Sequence, residues 1–248
     1  MSFKNKVVIV TGASSGIGAA VAEEFSAGGA KVVMVGRNEV KLNNVAKRCN
    51  SPLVIRADLT DDKDVQRIIN ETIDKFAQID ILVNNAGTYA DGPLLSGKIM
   101  DTYDFIARVN LRAVIYLTSL AAPYIVQTKG NIINISSVSG IIAPVVPGLL
   151  AYNVSKAGLN HFTTCTAAEL GPLGVRVNAV SPGPVNTDFL ENTGLPGPWD
   201  IYKPSTVLNR VSEAKDIADM VIFLASDKAK SITGANFLTD NGMAIKRS

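Results

Sequence analysis

Tyr152 and Lys156 stand four residues apart in the Ala-rich stretch 151–170, which reads as a helix. At that spacing two side chains share one helix face, one turn apart, with Cβ atoms about 5–6 Å from each other. An ammonium beside a phenol favours the phenolate and lowers a pKa that is normally ~10. Tyr152 could then give or take a proton near neutral pH. Tyr and Lys at this spacing also occur by chance in many helices, so the pair acquires meaning only from what other elements bring to it.

Those elements begin with residues 6–11, a nearly all-apolar, β-branched run that suits a strand buried on both faces of a parallel sheet. Gly12, Ser14, Ser15, Gly16, Ile17 and Gly18 lie in the turn that follows, ahead of a helical pattern through Val21, Ala22 and Phe25. In that context the glycines allow tight turning and close backbone approach, and the helix N-terminal N–H groups attract a pyrophosphate. A second strand, 31–35, leads into Gly36-Arg37-Asn38. Folds that prefer NAD place an acid at this point for the ribose 2′-hydroxyl. Gly36 removes that carboxylate, and Arg37 offers a guanidinium to a 2′-phosphate, so NADP(H) is expected over NAD(H).

The alternation continues through strands at 53–57, 80–83, 131–135, 175–180 and 235–239, with helices at 39–48, 61–76, 101–127, 151–170 and 213–226. This pattern predicts one doubly wound α/β domain over 1–248, with a mainly parallel seven-stranded sheet and helices on both faces. Ligands of such sheets bind outside the carboxyl ends of the strands. The polar loops at 12–18, 36–38, 58, 84–87, 136–139 and 182–183 all fall at those ends, so one crevice can collect them.

Composition narrows the classes further. The 24 basic and 22 acidic residues nearly balance, and no run of like charges argues for nucleic acid or a membrane surface. Cys49 and Cys165 lie far apart and His161 is the single histidine, so no metal site is expected. The first residues enter a strand at once without a signal-peptide pattern. No apolar run is read as reaching the ~18 residues of a membrane span. The expectation is a soluble cytoplasmic protein.

Taken in order, Thr11-Gly12-x-x-x-Gly16-x-Gly18, Asn84-Asn85-Ala86-Gly87, Asn110, Ser137, Tyr152-x-x-x-Lys156 and Pro182-Gly183 resemble the short, single-domain branch of the short-chain dehydrogenase/reductase family, over nearly the whole chain. The resemblance implies a Rossmann-like fold and hydride transfer between a nicotinamide cofactor and a carbonyl or alcohol. Carried over by position, Tyr152 is the acid/base, and Lys156 lowers its pKa and holds the nicotinamide ribose. Ser137 steadies the substrate oxygen, and Asn110 holds a relay water through a helix distortion. Gly12, Gly16 and Gly18 admit the pyrophosphate and Ile17 closes over it. Asp58 and Leu59 meet adenine, while Asn85, with Ala86 and Gly87, supports the ribose side. Val185 and Thr187, just past Pro182 and Gly183, contact the carboxamide. A homotetramer or dimer is implied, built on the long helices carrying Asn110 and Tyr152.

Two departures stand out. The glycine motif has Ser15 where some NADP-preferring members carry a base, leaving Arg37, with Ser14 and Asn38, to set the preference. Ser137 and Tyr152 are fifteen positions apart, longer than the family's usual spacing, which Ser139 would restore. The strand-end pattern Asn134-Ile135-Ser136-Ser137 favours Ser137 and puts the surplus in the loop 141–150. That apolar loop and an expected lid at 189–207 suggest an apolar substrate that is steroid-, isoprenoid- or fatty-acyl-like. Epimerisation or dehydration on the same scaffold, or cofactor binding without turnover, are the alternatives. His161 and Cys165 read as packed or interfacial, Asp188 and Glu191 as surface residues.

Overall fold

Val7–Thr11 (β1) is buried throughout, with Val8 and Val10 packed on one face of a sheet and Val7 and Ile9 on the other. A β-branched run that is apolar on both sides can only be satisfied between two helical layers. In the computed structural model, which describes residues 1–143, 147–193 and 197–246, β1 is an inner strand of a seven-stranded sheet. Its companions are Lys31–Gly36 (β2), Leu53–Arg56 (β3), Ile81–Asn84 (β4), Asn131–Ile135 (β5), Arg176–Pro182 (β6) and Asn236–Thr239 (β9). The order is β3-β2-β1-β4-β5-β6-β9 and every pairing is parallel. The direction of winding reverses between β1 and β4, which makes the gap beyond their carboxyl ends the switch point.

Helices Gly16–Ala27 (α1), Glu39–Ala46 (α2) and Ala214–Ala225 (α8) bury Phe25, Leu42 and Val221 against one face. Helices Asp62–Phe76 (α3), Ala113–Thr128 (α5) and Leu150–Leu170 (α6) bury Ile68, Leu117 and Ala167 against the other. Local signals set their ends. Asp61 accepts from Lys63 N to start α3, and Ala77 ends it in a left-handed conformation. Asn38 accepts from Lys41 N to start α2, which fixes the chain where β2 ends.

The expected helix 101–127 is Ile99–Ala107 (α4) running into α5 through a π-turn at Arg108–Arg112. The whole run Ile99–Thr128, 30 residues, is long and apolar enough by length and composition to cross a membrane, which corrects the reading that no segment is. Its apolarity serves this fold: Ile106, Leu117 and Ile125 are buried in it, and Asn110 sits fully buried at its centre.

A feature absent from the sequence reading is a second, two-stranded parallel ladder pairing Val185–Asn186 (β7) with Ser212–Glu213 (β8). It clamps together the two ends of the segment 189–207, which holds the short helix Phe189–Thr193 (α7) and a 3-10 stretch at Trp199–Ser205. Residues 144–146 of the expected loop and 194–196 of the expected lid lie outside the described residues.

Candidate active site

The glycine turn is built on contacts that exclude side chains. Gly12 and Gly16 have φ of +67° and +53°, the left-handed region where only glycine is unstrained. A Cβ on Gly16 would come within 3.0 Å of Thr187 Cγ2, in the channel where the pyrophosphate is expected. Gly18 has a different duty from the expected one. It does not line the crevice; a Cβ there would lie 2.2 Å from the Gly12 carbonyl oxygen and 2.4 Å from Asn85 Nδ2. It lets α1 press against the turn.

Asn85 likewise acts through the turn. Its Nδ2 donates to Thr11 O at 2.9 Å and Gly12 O at 3.3 Å, so its amide braces β4 against β1 and is committed before any ribose arrives. Asp58 is similarly engaged, its Oδ1 accepting from Thr60 N and Oγ1 at 2.9 and 2.8 Å.

Ser137, at the end of β5, stands against the Tyr152 hydroxyl and favours its ionised form, and its own Oγ accepts from Ser139 N at 3.1 Å. The longer loop therefore leaves Ser137, and not Ser139, against the phenol. Lys156 is 4% exposed and its Nζ donates to Ile135 O at 2.9 Å. The ammonium lies 5.8 Å from the centroid of the Tyr152 ring. The expected lowering of the phenol's pKa is not what this geometry produces. Burial pushes Tyr152 up, the Ser137 bond opposes that, and Lys156 spends its hydrogen bond on the strand end.

Burial also brings Lys156 down to about 8. Its folded-state pKa thus lies below the unfolded value, so from about 8 to 10.5 the unfolded chain binds more protons and stability should rise with pH. Below that window the buried charge costs about 3 kcal/mol, offset by about 1 kcal/mol from its hydrogen bond. Lys156→Met should therefore be more stable than the parent near pH 7, by about 2 kcal/mol, while losing activity. Thermal unfolding at pH 7 and 9 checks this; a variant less stable at pH 7 would contradict it.

Asn110 sits in the π-turn, as the expected helix distortion requires. Its Oδ1 accepts from Thr88 N at 2.8 Å, and its Nδ2 donates to Thr88 O at 2.9 Å and to Ser155 Oγ at 3.2 Å. It lies behind the crevice wall and holds the chain after Gly87 in place, with Lys156 alongside.

The remaining expected residues line one continuous crevice of about 1230 Å³. Ser14, Ser15, Ile17, Arg37, Asn38, Asp58 and Leu59 stand at one end. Asn85, Ala86, Gly87, Pro182, Gly183, Val185 and Thr187 line the stretch leading to Ser137, Tyr152 and Lys156. The positive-φ glycines, a guanidinium beside Gly36 and a buried ammonium near the phenol suit a nicotinamide dinucleotide. Among the described residues no group of His, Cys, Asp or Glu could hold a metal.

Beyond Tyr152 the walls are apolar and aromatic. The Tyr89 ring meets that of Tyr152 edge-on at 6.0 Å, and Phe189 lies 6.3 Å from it. Burial and the neighbouring Asp91 push the Tyr89 phenol up to about 12, so it stays neutral. Trp199 Nε1 donates to Thr187 O at 2.7 Å and fastens the lid beside the carboxamide position. Tyr89 carries no role in the sequence reading, where only its nearness to 87 could have signalled one; Trp199 falls within the lid expected there at 189–207. His161 and Cys165 are exposed rather than packed, as is Glu191. Asp188 is half-buried and paired, not a free surface acid.

A family model described as enoyl-(acyl carrier protein) reductase matches residues 12–244. Meso-2,3-butanediol dehydrogenase of Serratia marcescens is 36% identical over 245 residues, covering 98% of this chain and 96% of the relative. The 3-oxoacyl-[acyl-carrier-protein] reductase of Thermotoga maritima is 34% identical, covering 99% and 100%. The 7alpha-hydroxysteroid dehydrogenase of Bacteroides fragilis is also 34% identical, covering 98% and 96%. Among solved structures, a short-chain dehydrogenase/reductase of unknown function from Caenorhabditis elegans, with cofactor, aligns with TM-score 0.92 at 32% identity, covering 99% and 97%. A Burkholderia cenocepacia short chain dehydrogenase in complex with NADP aligns at 0.90 and 31%, covering 98% and 99%. A Brucella melitensis 3-ketoacyl-(acyl-carrier-protein) reductase complexed with NADH aligns at 0.90 and 32%, covering 98% and 100%. The chain belongs to the short-chain dehydrogenase/reductase family of oxidoreductases, which transfer hydride between a nicotinamide cofactor and a carbonyl or alcohol.

Proposed function

We propose that this chain is an NADP(H)-preferring oxidoreductase acting on an uncharged, apolar ketone or aldehyde, or on the matching alcohol. The observation that carries the reading is Ser137 standing against Tyr152 at the apolar end of a crevice whose other end offers Arg37 beside Gly36. The bound nicotinamide supplies or accepts the hydride at the substrate carbon. Ser137 hydrogen-bonds the substrate oxygen as negative charge develops there. Tyr152 gives that oxygen its proton, so the carbonyl becomes an alcohol and the phenolate recovers a proton from solvent. Lys156, charged in part near its value of about 8 and beside Tyr152 in the crevice wall, is placed to hold the ribose hydroxyls. Asn110 keeps the π-turn that supports a relay water behind Lys156.

The charge distribution supports a neutral substrate. Cations lining the crevice are Arg37, Lys41 and Arg56 at the adenosine end, and Lys156 beside Tyr152. The substrate end is bounded by Tyr89, Leu149, Phe189, Trp199 and Ile201, and Lys203 of the lid pairs with Asp200 at 3.0 Å. Among the described residues lining the crevice, Lys156 is the one cation near Tyr152 that a carboxylate or phosphate on the substrate could meet. Relatives named for butanediol, 3-oxoacyl and hydroxysteroid compounds fit a hydroxyl or oxo group as the reacting centre.

The test is a panel of neutral and anionic ketones and alcohols, run with NADPH, NADH and their oxidised forms. Turnover is expected with neutral apolar compounds and NADPH. Arg37→Ala should weaken NADPH by about tenfold or more and NADH hardly at all, as loss of one charged phosphate contact implies. Turnover confined to anionic compounds would remove the substrate assignment, and equal losses for both cofactors would remove the 2′-phosphate assignment.

A further inference from the structure

One carboxylate ties the lid to the adenosine end of the crevice. Asp188 Oδ1 accepts from Ser15 Oγ at 2.8 Å, and its Oδ2 accepts from Lys41 Nζ at 2.6 Å. The three residues come from the glycine turn, α2 and the start of the lid, 147 and 173 positions apart. Desolvation pushes the Asp188 carboxyl up, but bonds from Lys41, Ser15 and Asn192 outweigh it and hold it below the usual carboxylate range. The carboxylate is ionised and firmly held.

Two details of placement matter. Ser15 is the position at which the glycine turn lacks a base, and Lys41 reaches from α2 to the carboxylate that Ser15 also holds. An ammonium from another element therefore stands where the turn has none, on the same wall as Arg37. The group holding that ammonium belongs to the lid, because Asp188 immediately precedes α7 and its carbonyl accepts from Asn192 N at 3.0 Å. A phosphate drawn to Arg37 would attract Lys41 and repel Asp188.

We propose that Lys41 is shared between the lid carboxylate Asp188 and the 2′-phosphate of the cofactor, so that NADP(H) draws Lys41 from Asp188 and loosens the lid while NAD(H) leaves it fastened. The proposal rests on the NADP(H) reading above. The coupling is reciprocal: 2′-phosphate binding loosens the Asp188–Lys41 pair, and a change at Asp188 that releases Lys41 makes it available to the 2′-phosphate.

Fluorescence titration of the purified chain and its variants with NADPH and with NADH tests this, alongside hydrogen exchange across Phe189–Thr193. Lys41→Met should weaken NADPH about tenfold and NADH less than about twofold. Asp188→Asn should tighten NADPH by about threefold or more and leave NADH unchanged. In the parent, exchange in α7 should be faster with NADPH than with NADH, and this difference should vanish in Lys41→Met. A Lys41→Met variant that treats both cofactors alike, or an Asp188→Asn variant that binds NADPH more weakly, overturns the sharing. If Arg37→Ala loses NADPH selectively while Lys41→Met does not, the sharing fails and the NADP(H) reading stands. If the parent binds NADH as tightly as NADPH, both fail.

Discussion

Tyr152→Phe should lower turnover by about 10²–10⁴-fold, the range that a positioned acid/base supplies, and leave cofactor affinity within about twofold. The substitution removes one oxygen. The ring keeps its edge-on contact with Tyr89 at 6.0 Å and its neighbour Phe189 at 6.3 Å, so the pocket wall stays in place. What disappears is the hydroxyl that Ser137 orients. The direction of the phenol's shift adds a pH signature. Burial keeps Tyr152 protonated through neutral pH, which favours donation to a carbonyl. Reduction should therefore fall, and alcohol oxidation rise, as the pH climbs towards and past the ordinary phenol value of ~10. Steady-state rates in both directions, with cofactor binding measured separately, decide it. A variant retaining more than about a tenth of parental turnover would reject Tyr152 as the proton donor.

The second large effect is expected from the smallest change, Gly18→Ala. A methyl there would stand 2.2 Å from the Gly12 carbonyl oxygen, a backbone atom that can move only if the turn moves. Overpacking of this kind costs about 1–3 kcal/mol, or about 2–12 °C in unfolding midpoint for a chain of this size. The strain falls on the turn that presents Gly12 and Gly16, so NADPH affinity should fall with stability. Gly171→Ala is the control, because its φ is −57° and a Cβ there would meet nothing within 4 Å. Calorimetry and cofactor titration of the two variants side by side make the comparison. If Gly18→Ala matched Gly171→Ala, the close packing of α1 on the turn would be wrong.

The contrast between these two glycines shows what a sequence can carry. Motif spacing located Gly18, but not its job, since nothing in a string of residues says that its missing side chain faces Gly12 and Asn85. The strands were legible because β-branched runs such as 7–10 are buried on both faces and read as unbroken apolar segments. The ladder between Val185–Asn186 and Ser212–Glu213 was not, because two residues per strand leave no period to detect.

At the site, the choice of Ser137 over Ser139 followed from the strand-end pattern and agrees with the geometry, although the loop length argued otherwise. The electrostatics of Tyr152 and Lys156 went the other way. Helical spacing brought the pair together, but the nearest acceptor for the ammonium is Ile135 O, supplied by a strand that sequence proximity cannot reveal. The tie from Asp188 to Ser15 and Lys41 was illegible for the same reason. It joins the glycine turn, α2 and the start of the lid, which lie far apart in sequence and meet where the strand ends gather around one crevice.

The most direct test of the central claim follows a label from cofactor to product. The purified chain, NADPH carrying deuterium on the transferable face of C4, and a neutral apolar ketone turned over by the parent are combined, and the alcohol is examined by mass spectrometry. The account predicts one deuterium on the former carbonyl carbon with the parent, and labelled alcohol formed about 10²–10⁴-fold more slowly with Tyr152→Phe. Alcohol formed without deuterium from either face of C4 would contradict hydride transfer in this crevice, and labelled alcohol formed at parental rate by Tyr152→Phe would contradict the assigned proton donor.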